Sequence, residues 1–283
     1  EMCIRDRSTT NSNIIKAIIL VLLQLLVNIF SPHLFDPFTP GILSLFALLI
    51  LIKPLIVNMA NNNIRFLIFL ISILLIYGFS SFVYNIQGTN NWDFRVSTNN
   101  LTILTSHLFF TGTYPLFPWI TFAVVGAFLG SSITEGGKTL PRNNTTLLLI
   151  IIGMSYCLVS LILANEEGSI WAHPTKGAYL NFFPANTGFM IGSMTGVLIF
   201  WLIIQELQIS LFEYCGRLSL TIYVLHFIPL TLLSNIEDGR YWSVMEASLA
   251  VVVYTTAWLF FAFVWNRLQW LTIEALIRKL SSG

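Results

Sequence analysis

Long apolar runs separated by short polar stretches dominate the hydrophobic pattern of this chain. Eight of the runs are about as long as a helix must be to cross a bilayer core. The pattern predicts eight transmembrane helices, over Asn13–Phe30, Gly41–Met59, Ile64–Tyr84, Pro115–Gly130, Thr145–Ala164, Thr187–Leu207, Phe212–Ser234 and Val244–Leu268. The expected fold class is therefore all-α, a polytopic membrane helix bundle.

Composition supports this class. The 283 residues are 55% hydrophobic and 10% charged, whereas a soluble domain carries roughly 25% charge. A net charge of +1 implies no basic surface for nucleic acid, so membrane lipid is the expected surrounding partner. Cys3, Cys157 and Cys215 have no metal-site spacing, and neither a metal nor a disulfide framework is expected.

The first residues differ in character from the rest of the chain. EMCIRDRS has no continuity with the apolar segment beside it and resembles a translated adapter scar. We expect residues 1–10 to be non-native and residues 11–283 to form one transmembrane domain. The native chain would then extend further upstream.

Basic residues predict the orientation. Arg5 and Arg7 are left out because they belong to the expected scar. If eight spans alternate, nine of the remaining cations fall on one side: Lys16, Lys53, Arg65, Lys138, Arg142, Arg217, Arg267, Arg278 and Lys279. Only Arg95, Lys176 and Arg240 fall on the other side. Cytoplasmic loops carry the excess of Lys and Arg. The bias predicts a cytoplasmic (inner) membrane protein with both termini in the cytoplasm.

The segment Thr111–Gly130, TGTYPLFPWITFAVVGAFLG, stands out. A helix tolerates proline in its first turn, so Pro115 and Pro118 mark a helix start. Tyr114 and Trp119 favour the headgroup region, which places this start at a membrane face.

Small residues recur at helical spacing in two predicted helices. Gly126 and Gly130 are four apart, and Gly188, Gly192 and Gly196 repeat the same spacing. Such seams let another helix approach closely, which also allows an oligomer. In a transporter, the same seam would permit helices to slide.

Three segments carry a resemblance to known families. YPLFPW followed by a Gly-ended helix resembles the signature of the bacterial relatives of heparan-α-glucosaminide N-acetyltransferase, a family of membrane acyltransferases. Gly41–Leu55, GILSLFALLILIKPL, is similar to the segment that precedes it, with Ser44 where the family often has His. GRLSLTIYVLH is similar to a segment of the YeiB-like membrane proteins. Residues 11–164 thus resemble the acetyltransferase half, and residues 165–283 look YeiB-like.

The resemblance implies a membrane-embedded acyltransferase. It would move an acetyl or other acyl group from acyl-CoA, as co-substrate rather than bound cofactor, to a hydroxyl or amine of a sugar or glycan. Trp92, Trp119 and Trp171 in the outer loops could stack on the sugar, or form an interfacial belt. The residues expected to bind substrate are Tyr114, Trp119, Tyr223 and Ser219.

His226 is the first catalytic candidate. It lies nine residues past Arg217, about 13 Å into the membrane. Ser219, Tyr223 and His226 are spaced four and three apart, so they share one helix face, which we expect to point into the bundle. An ionisable residue at this depth is a functional candidate. The alternative is a histidine that only ties helices together.

Two weaker candidates lie elsewhere. His33 and Asp36 are close in an outer loop and could form a His–carboxylate base, although ordinary loop residues explain them as well. Glu274 and Arg278 keep the charge spacing of a YeiB-like tail. An i,i+4 pair on an interfacial helix explains them equally.

The family's opening helices, with their IDxLRG segment and catalytic His, have no counterpart here. We therefore expect the chain as given not to catalyse acyl transfer. The alternative function is a permease-like or purely structural multi-pass protein, with the glycine seam and His226 serving transport. Acyl-CoA binding would favour the enzyme, and an inverted repeat would favour the permease.

Overall fold

The computed structural model describes residues 10–61, 64–84, 91–131, 139–175, 177–207, 210–234 and 242–281. Residues 1–9 of the predicted scar, including Cys3, lie outside these ranges. The same holds for Lys138, Lys176 and Arg240, which entered the orientation argument, and for loop residues 85–90 and 235–241.

The fold is all-α, as the hydrophobic pattern predicts. The helices are α1 Thr10–Phe30, α2 Ile42–Ala60, α3 Arg65–Tyr84, α4 Trp92–Val96, α5 Leu101–Ser106, α6 Leu116–Gly130, α7 Asn144–Glu166, α8 Thr187–Ile204, α9 Ser210–Arg217, α10 Ser219–Leu225, α11 Phe227–Ser234, α12 Val244–Trp265 and α13 Ile273–Ser281. A π-helix, His107–Thr111, continues α5, and a 3-10 helix, Asn266–Leu271, precedes α13.

The structure supports several spans, but it does not confirm the count of eight. Among the described residues, five helices are long and apolar enough to cross a bilayer: α1, α2, α7, α8 and α12. A sixth span results if Leu101–Thr111 and Leu116–Gly130, which meet at a bend of 44°, form one broken span. Shorter apolar helices over Arg65–Ile76 and Ser219–Ser234 occupy the positions of the third and seventh predicted spans.

The seventh predicted span is wrong as a single continuous helix. The chain there forms α9, α10 and α11, with breaks at Leu218 and His226. Leu218 has φ −110° and ψ 13°, which lies outside the helical region. Its N–H donates to the carbonyls of both Tyr214 and Cys215 at 3.2 Å, so α9 ends in a tight turn.

The polar loop predicted over residues 85–112 is largely helical from residue 92 onward. Asparagine caps explain the two short helices, because an Asn side chain replaces the missing backbone partner of a first-turn N–H. Asn91 accepts from the N–H of Asp93, and Asn100 accepts from that of Ile103 at 2.8 Å. The sequence prediction overlooked these caps.

The loop before α8 contains the only regular strands in the described part of the chain. Ala172–His173 (β1) and Leu180–Asn181 (β2) pair in parallel, with Ala172 opposite Leu180. Because each strand has only two residues, this is a local strand pair within an otherwise helical fold. It fixes where the residues after β2 lie.

The chain forms two compact units. Unit 1 is Thr39–Leu207 among the described residues, and unit 2 is Ser8–Phe38 with Gln208–Gly283. These bounds differ from the division at residue 164 that the resemblance suggested, and that division stays a prediction.

Unit 1 has two apolar clusters in its core. One joins α2 to α6, around Leu49 and Ala123. The other joins α3, α6 and α8, where the rings of Phe69 and Phe128 stack at 4.2 Å. The helix that starts at YPLFPW therefore packs on both sides within unit 1.

In unit 2, α1 packs against α11 and α13. The Thr231 hydroxyl of α11 donates to the carbonyl of Phe30 at 2.8 Å. The Glu274 carboxylate of α13 accepts from the N–H groups of Leu220 and Thr221 at 2.7 and 3.0 Å. Glu274 therefore caps the start of α10, a role that the i,i+4 interpretation of Glu274 and Arg278 missed.

The glycine seam of α8 is correct in part. A Cβ on Gly188 would lie 2.2 Å from the carbonyl oxygen of Tyr179, and one on Gly192 would lie 2.9 Å from Leu180. Gly196 and, in α6, Gly126 have no atom within 4 Å of a built Cβ. Close approach therefore occurs along the first half of α8 only.

Candidate functional site

The YPLFPW segment meets the loop before α8 in an aromatic cluster. Tyr114 lies 5.2 Å from Trp119, and Phe182 lies 6.1 Å from Tyr114 and 5.5 Å from Trp119, measured between ring centroids. Phe183 and Phe189 complete these five rings, which we call the aromatic cluster. The two substrate-binding candidates from this segment are thus neighbours.

The helix start predicted for this segment is confirmed. Pro115 is extended, with φ −69° and ψ 154°, and precedes the first residue of α6. Phe117 is also non-helical, so the first turn is irregular. The Thr121 hydroxyl donates to the carbonyl of Pro118 at 2.8 Å and satisfies a group that the irregular turn leaves open.

One amide fixes the other half of the cluster. The Asn186 Oδ1 accepts from the N–H groups of Phe189, at 2.8 Å, and Asn181, at 3.1 Å. Its Nδ2 donates to the carbonyls of Ala178 and Tyr179, both at 3.0 Å. Asn186 thereby caps α8 and ties the loop to it, so the positions of Phe182 and Phe189 are set by a shared anchor.

An acid–phenol pair lies at the edge of the same loop. The Tyr179 hydroxyl donates to the Glu167 carboxylate at 2.7 Å. This hydrogen bond favours the neutral phenol and raises the pKa of Tyr179 above its ordinary value. Tyr179 therefore remains a donor at physiological pH.

Two buried polar atoms in this region have no protein partner among the described residues. They are the indole Nε1 of Trp119 and the side-chain Oδ1 of Asn181. Asn181 is 0% exposed, and its Nδ2 donates to the carbonyl of Pro184 at 3.0 Å. A buried donor or acceptor left without a partner costs about 1–3 kcal/mol. We interpret the unsatisfied donor of Trp119 and the unsatisfied acceptor of Asn181 as candidate contacts for a polar ligand or water.

A second polar group lies immediately before the YPLFPW segment. His107 is 2% exposed and Thr111 is 3% exposed. The His107 Nδ1 lies 2.6 Å from the Thr111 hydroxyl, and its Nε2 lies 3.0 Å from the carbonyl oxygen of Ser97. The π-helix turn brings the two side chains together, and such turns are frequent at functional sites.

Hydrogen-bonding capacity decides the direction of these bonds. A carbonyl only accepts, so His107 Nε2 carries the proton that points to Ser97. In the neutral ring, Nδ1 is then the acceptor of the Thr111 proton. Ser106 Oγ lies 3.0 Å from Thr111 Oγ1, whose single proton is already committed, so Ser106 donates. The result is a chain of hydrogen bonds that runs from the Ser106 hydroxyl through Thr111 and His107 to the Ser97 carbonyl.

A buried cation holds the backbone of the same turn. Arg95 is 1% exposed, and its Nη1 donates to the carbonyls of Thr111, at 3.2 Å, and Gly112, at 3.0 Å. A Cβ on Gly112 would lie 2.5 Å from the carbonyl oxygen of His107, so only glycine fits there. The positive charge of Arg95 thus lies next to the backbone of Thr111.

His226 lies at the break between α10 and α11 in unit 2. Its Nδ1 donates to the carbonyl of Tyr223 at 2.5 Å, and its own carbonyl accepts from the hydroxyl of Tyr254. The ring is half-buried. The expectation of a buried Ser219–Tyr223–His226 face is wrong, because Ser219 is exposed.

The buried face of α10 is instead formed by Thr221 and Val224. The interruption at Leu218 and the Glu274 cap turn Thr221 toward α13, where its hydroxyl accepts from the N–H of Ile273 at 2.9 Å. Periodicity assumed an uninterrupted helix, which is why it selected the wrong face. The catalytic role of His226 and substrate binding by Tyr223 and Ser219 stay predictions.

His33 and Asp36 lie in the loop between α1 and α2. His33 is exposed and Asp36 is half-buried. No hydrogen bond or ion pair joins the two side chains within residues 31–40, all of which the structure describes. Their proposed role as a base pair stays a prediction.

These features define a class of protein: an α-helical membrane protein with several apolar spans and an aromatic–polar site in unit 1. No family model, no curated protein and no solved structure matches the chain.

Sequence reasoning missed Arg95, His107, Thr111 and Asn181. A weak signal existed for one pair, because His107 and Thr111 are four residues apart and so share a helical face. None existed for Asn181, whose burial depends on the loop conformation that Asn186 fixes.

Proposed function

We propose that this protein is a membrane-embedded acyltransferase that transfers an acyl group from acyl-CoA to a hydroxyl or amine of a sugar. The observation that carries the proposal is the aromatic cluster with its unpartnered Trp119 Nε1 and Asn181 Oδ1. The resemblance of YPLFPW to a membrane acetyltransferase signature supplies the reaction type. The proposed location is the inner membrane, with both termini in the cytoplasm.

Sugar chemistry fits this surface. A pyranose presents C–H faces that pack on aromatic rings and hydroxyls that both donate and accept. One hydroxyl could accept from the Trp119 indole N–H and another could donate to Asn181 Oδ1. A site whose polar groups are satisfied only by ligand discriminates strongly against ligands that lack those groups.

The binding test uses the purified 283-residue chain in detergent and radiolabelled glucosamine. We expect saturable binding, weakened about 3–10-fold in Trp119→Phe, because one neutral hydrogen bond contributes about 0.5–1.5 kcal/mol. Trp258→Phe on α12 is the matched control and should bind as the wild type does. If Trp119→Phe binds glucosamine as tightly as Trp258→Phe does, the aromatic cluster is not the acceptor site.

The transfer test adds labelled acetyl-CoA and follows acetylated sugar. Acetyl-CoA binding without transfer would retain the donor assignment. If the chain neither binds acetyl-CoA nor transfers its acetyl group, the proposal is contradicted.

A permease is the second candidate, and the broken helices of unit 2 favour it. Discontinuous membrane helices are a common feature of transporter binding sites. The α9–α11 segment is interrupted twice, and α1 carries buried Gln24, hydrogen-bonded to buried Asn28 at 2.9 Å. Uptake of labelled sugar into proteoliposomes, reduced in His226→Ala at equal protein abundance, would select this function. Transfer activity without uptake would exclude it.

A further inference from the structure

We propose that Thr111 is a nucleophile that receives the acyl group as an ester, with His107 as its general base. The inference rests on the proposed acyl transfer and names the residue through which it passes. It differs from the catalytic candidates expected from the sequence, which are His226, His33 and Asp36, and it also departs from the expectation that the chain as given does not catalyse acyl transfer.

The geometry is that of an activated hydroxyl. A nucleophile and its base should lie within about 2.6–3.2 Å, with the base oriented by a third group. Thr111 Oγ1 and His107 Nδ1 are 2.6 Å apart, and the Ser97 carbonyl holds the opposite ring nitrogen at 3.0 Å. The tautomer that this carbonyl imposes leaves the Nδ1 lone pair directed at the Thr111 proton.

The reaction balances without any further reagent. Thr111 Oγ1 attacks the thioester carbonyl as its proton passes to His107 Nδ1. The C–S bond then breaks, the proton moves to the departing thiolate, and the products are acyl-Thr111 and free CoA thiol. Attack by a sugar hydroxyl or amine on the ester regenerates Thr111, with His107 again accepting and returning one proton.

Arg95 supplies charge where the reaction needs it. Its guanidinium is held by the Thr111 and Gly112 carbonyls, so a fixed positive charge lies beside the residue that bears the tetrahedral intermediate. Preorganised donors and charges in a site with little water stabilise such an oxyanion. The burial of the dyad also protects an ester from hydrolysis.

The acceptor site is within reach of the ester. Tyr114 of the aromatic cluster follows Thr111 by three residues, and three extended residues span at most about 11 Å. A sugar bound beside Tyr114 would therefore be close to the ester on Thr111.

The test labels the purified 283-residue chain with two acyl donors in the absence of acceptor. One is radiolabelled acetyl-CoA and the other is p-nitrophenyl acetate, which needs no CoA-binding site. We expect label on the peptide that contains Thr111, identified by mass spectrometry. Thr111→Val should abolish it, and His107→Gln should slow it by about 10²-fold or more.

The matched control is Thr113→Val. Thr113 is also buried and also loses one hydrogen bond on substitution, to the carbonyl of Pro40 at 3.2 Å, but it does not contact His107. The Thr113→Val variant should be labelled at Thr111 to the same extent as the wild type. Comparable thermal unfolding of the two valine variants excludes a folding defect as the cause of lost label.

The outcomes separate the inference from the proposed function. Label from the ester but not from acetyl-CoA keeps the nucleophile and contradicts the CoA donor. Acetyl transfer to sugar that persists in Thr111→Val overturns the inference and leaves the acyltransferase intact. Absence of label from both donors overturns the inference, whatever the transfer assay shows.

Discussion

At the residue scale, some of the glycines mark places where backbone or side-chain atoms approach too closely for any other residue. The tightest case joins α7 and α8. A Cβ on Gly153 would lie 1.8 Å from the Thr195 hydroxyl oxygen. That hydroxyl donates to the carbonyl of Ile191 at 2.8 Å, so the short side chain cannot swing away without losing its partner.

Gly153→Ala is therefore expected to destabilise unit 1 by about 1–3 kcal/mol, the usual cost of overpacking. Thermal unfolding in detergent measures the effect. Gly196→Ala is the control, because open space surrounds its Cβ, and its unfolding temperature should not fall. The double variant Gly153→Ala/Thr195→Ala should recover much of the loss. No recovery would mean that the Thr195 contact is not the cause.

At the element scale, the apolar pattern was sufficient to locate most of the long helices and insufficient to describe the site. The predicted bounds of α1, α2, α6 and α7 agree with the structure within a few residues. The spacing of apolar residues and the length of each apolar run are local properties of the sequence, and they are enough to predict where such a helix begins and ends. The break before α10 was not predictable, because Glu274, more than fifty residues away in the chain, supplies the cap at the start of that helix.

Glu274→Ala should release α13 from α10. The carboxylate accepts two backbone N–H groups and the Thr221 hydroxyl, so its removal leaves the start of α10 uncapped. We expect faster hydrogen exchange in Ser219–Leu225 and in α13. Glu213→Ala removes an exposed ion pair with Arg217 and is the control, since such pairs contribute little. Unchanged exchange in both variants would contradict the capping role.

At the scale of the whole molecule, orientation is the property that the sequence predicts and the fold leaves open. The cation asymmetry predicts that the end of the chain and the turn around Arg142 face the cytoplasm, and that loop 165–186 faces the other side. Burial and hydrogen bonding do not depend on which leaflet is which.

Topology reporters fused after residue 283, at Arg142 and within loop 165–186 test this prediction. The first two should report a cytoplasmic position and the third a periplasmic one. A periplasmic signal at residue 283 would contradict the even number of spans. A cytoplasmic signal at all three would instead place loop 165–186, and with it Phe182 and Phe183, on the cytoplasmic side.

The division of the chain into units has a consequence for biosynthesis. Among the described residues, unit 1 is continuous in sequence, whereas α1 belongs to a unit whose other helices follow Gln208. A ribosome that adds about 5–20 residues per second needs on the order of ten seconds or more to make the intervening segment. During that time, Phe30 has no Thr231 to contact. Of the described helices, α1 is therefore made before the others and yet is among the last to be assembled, so a membrane insertase or chaperone would have a long opportunity to hold it.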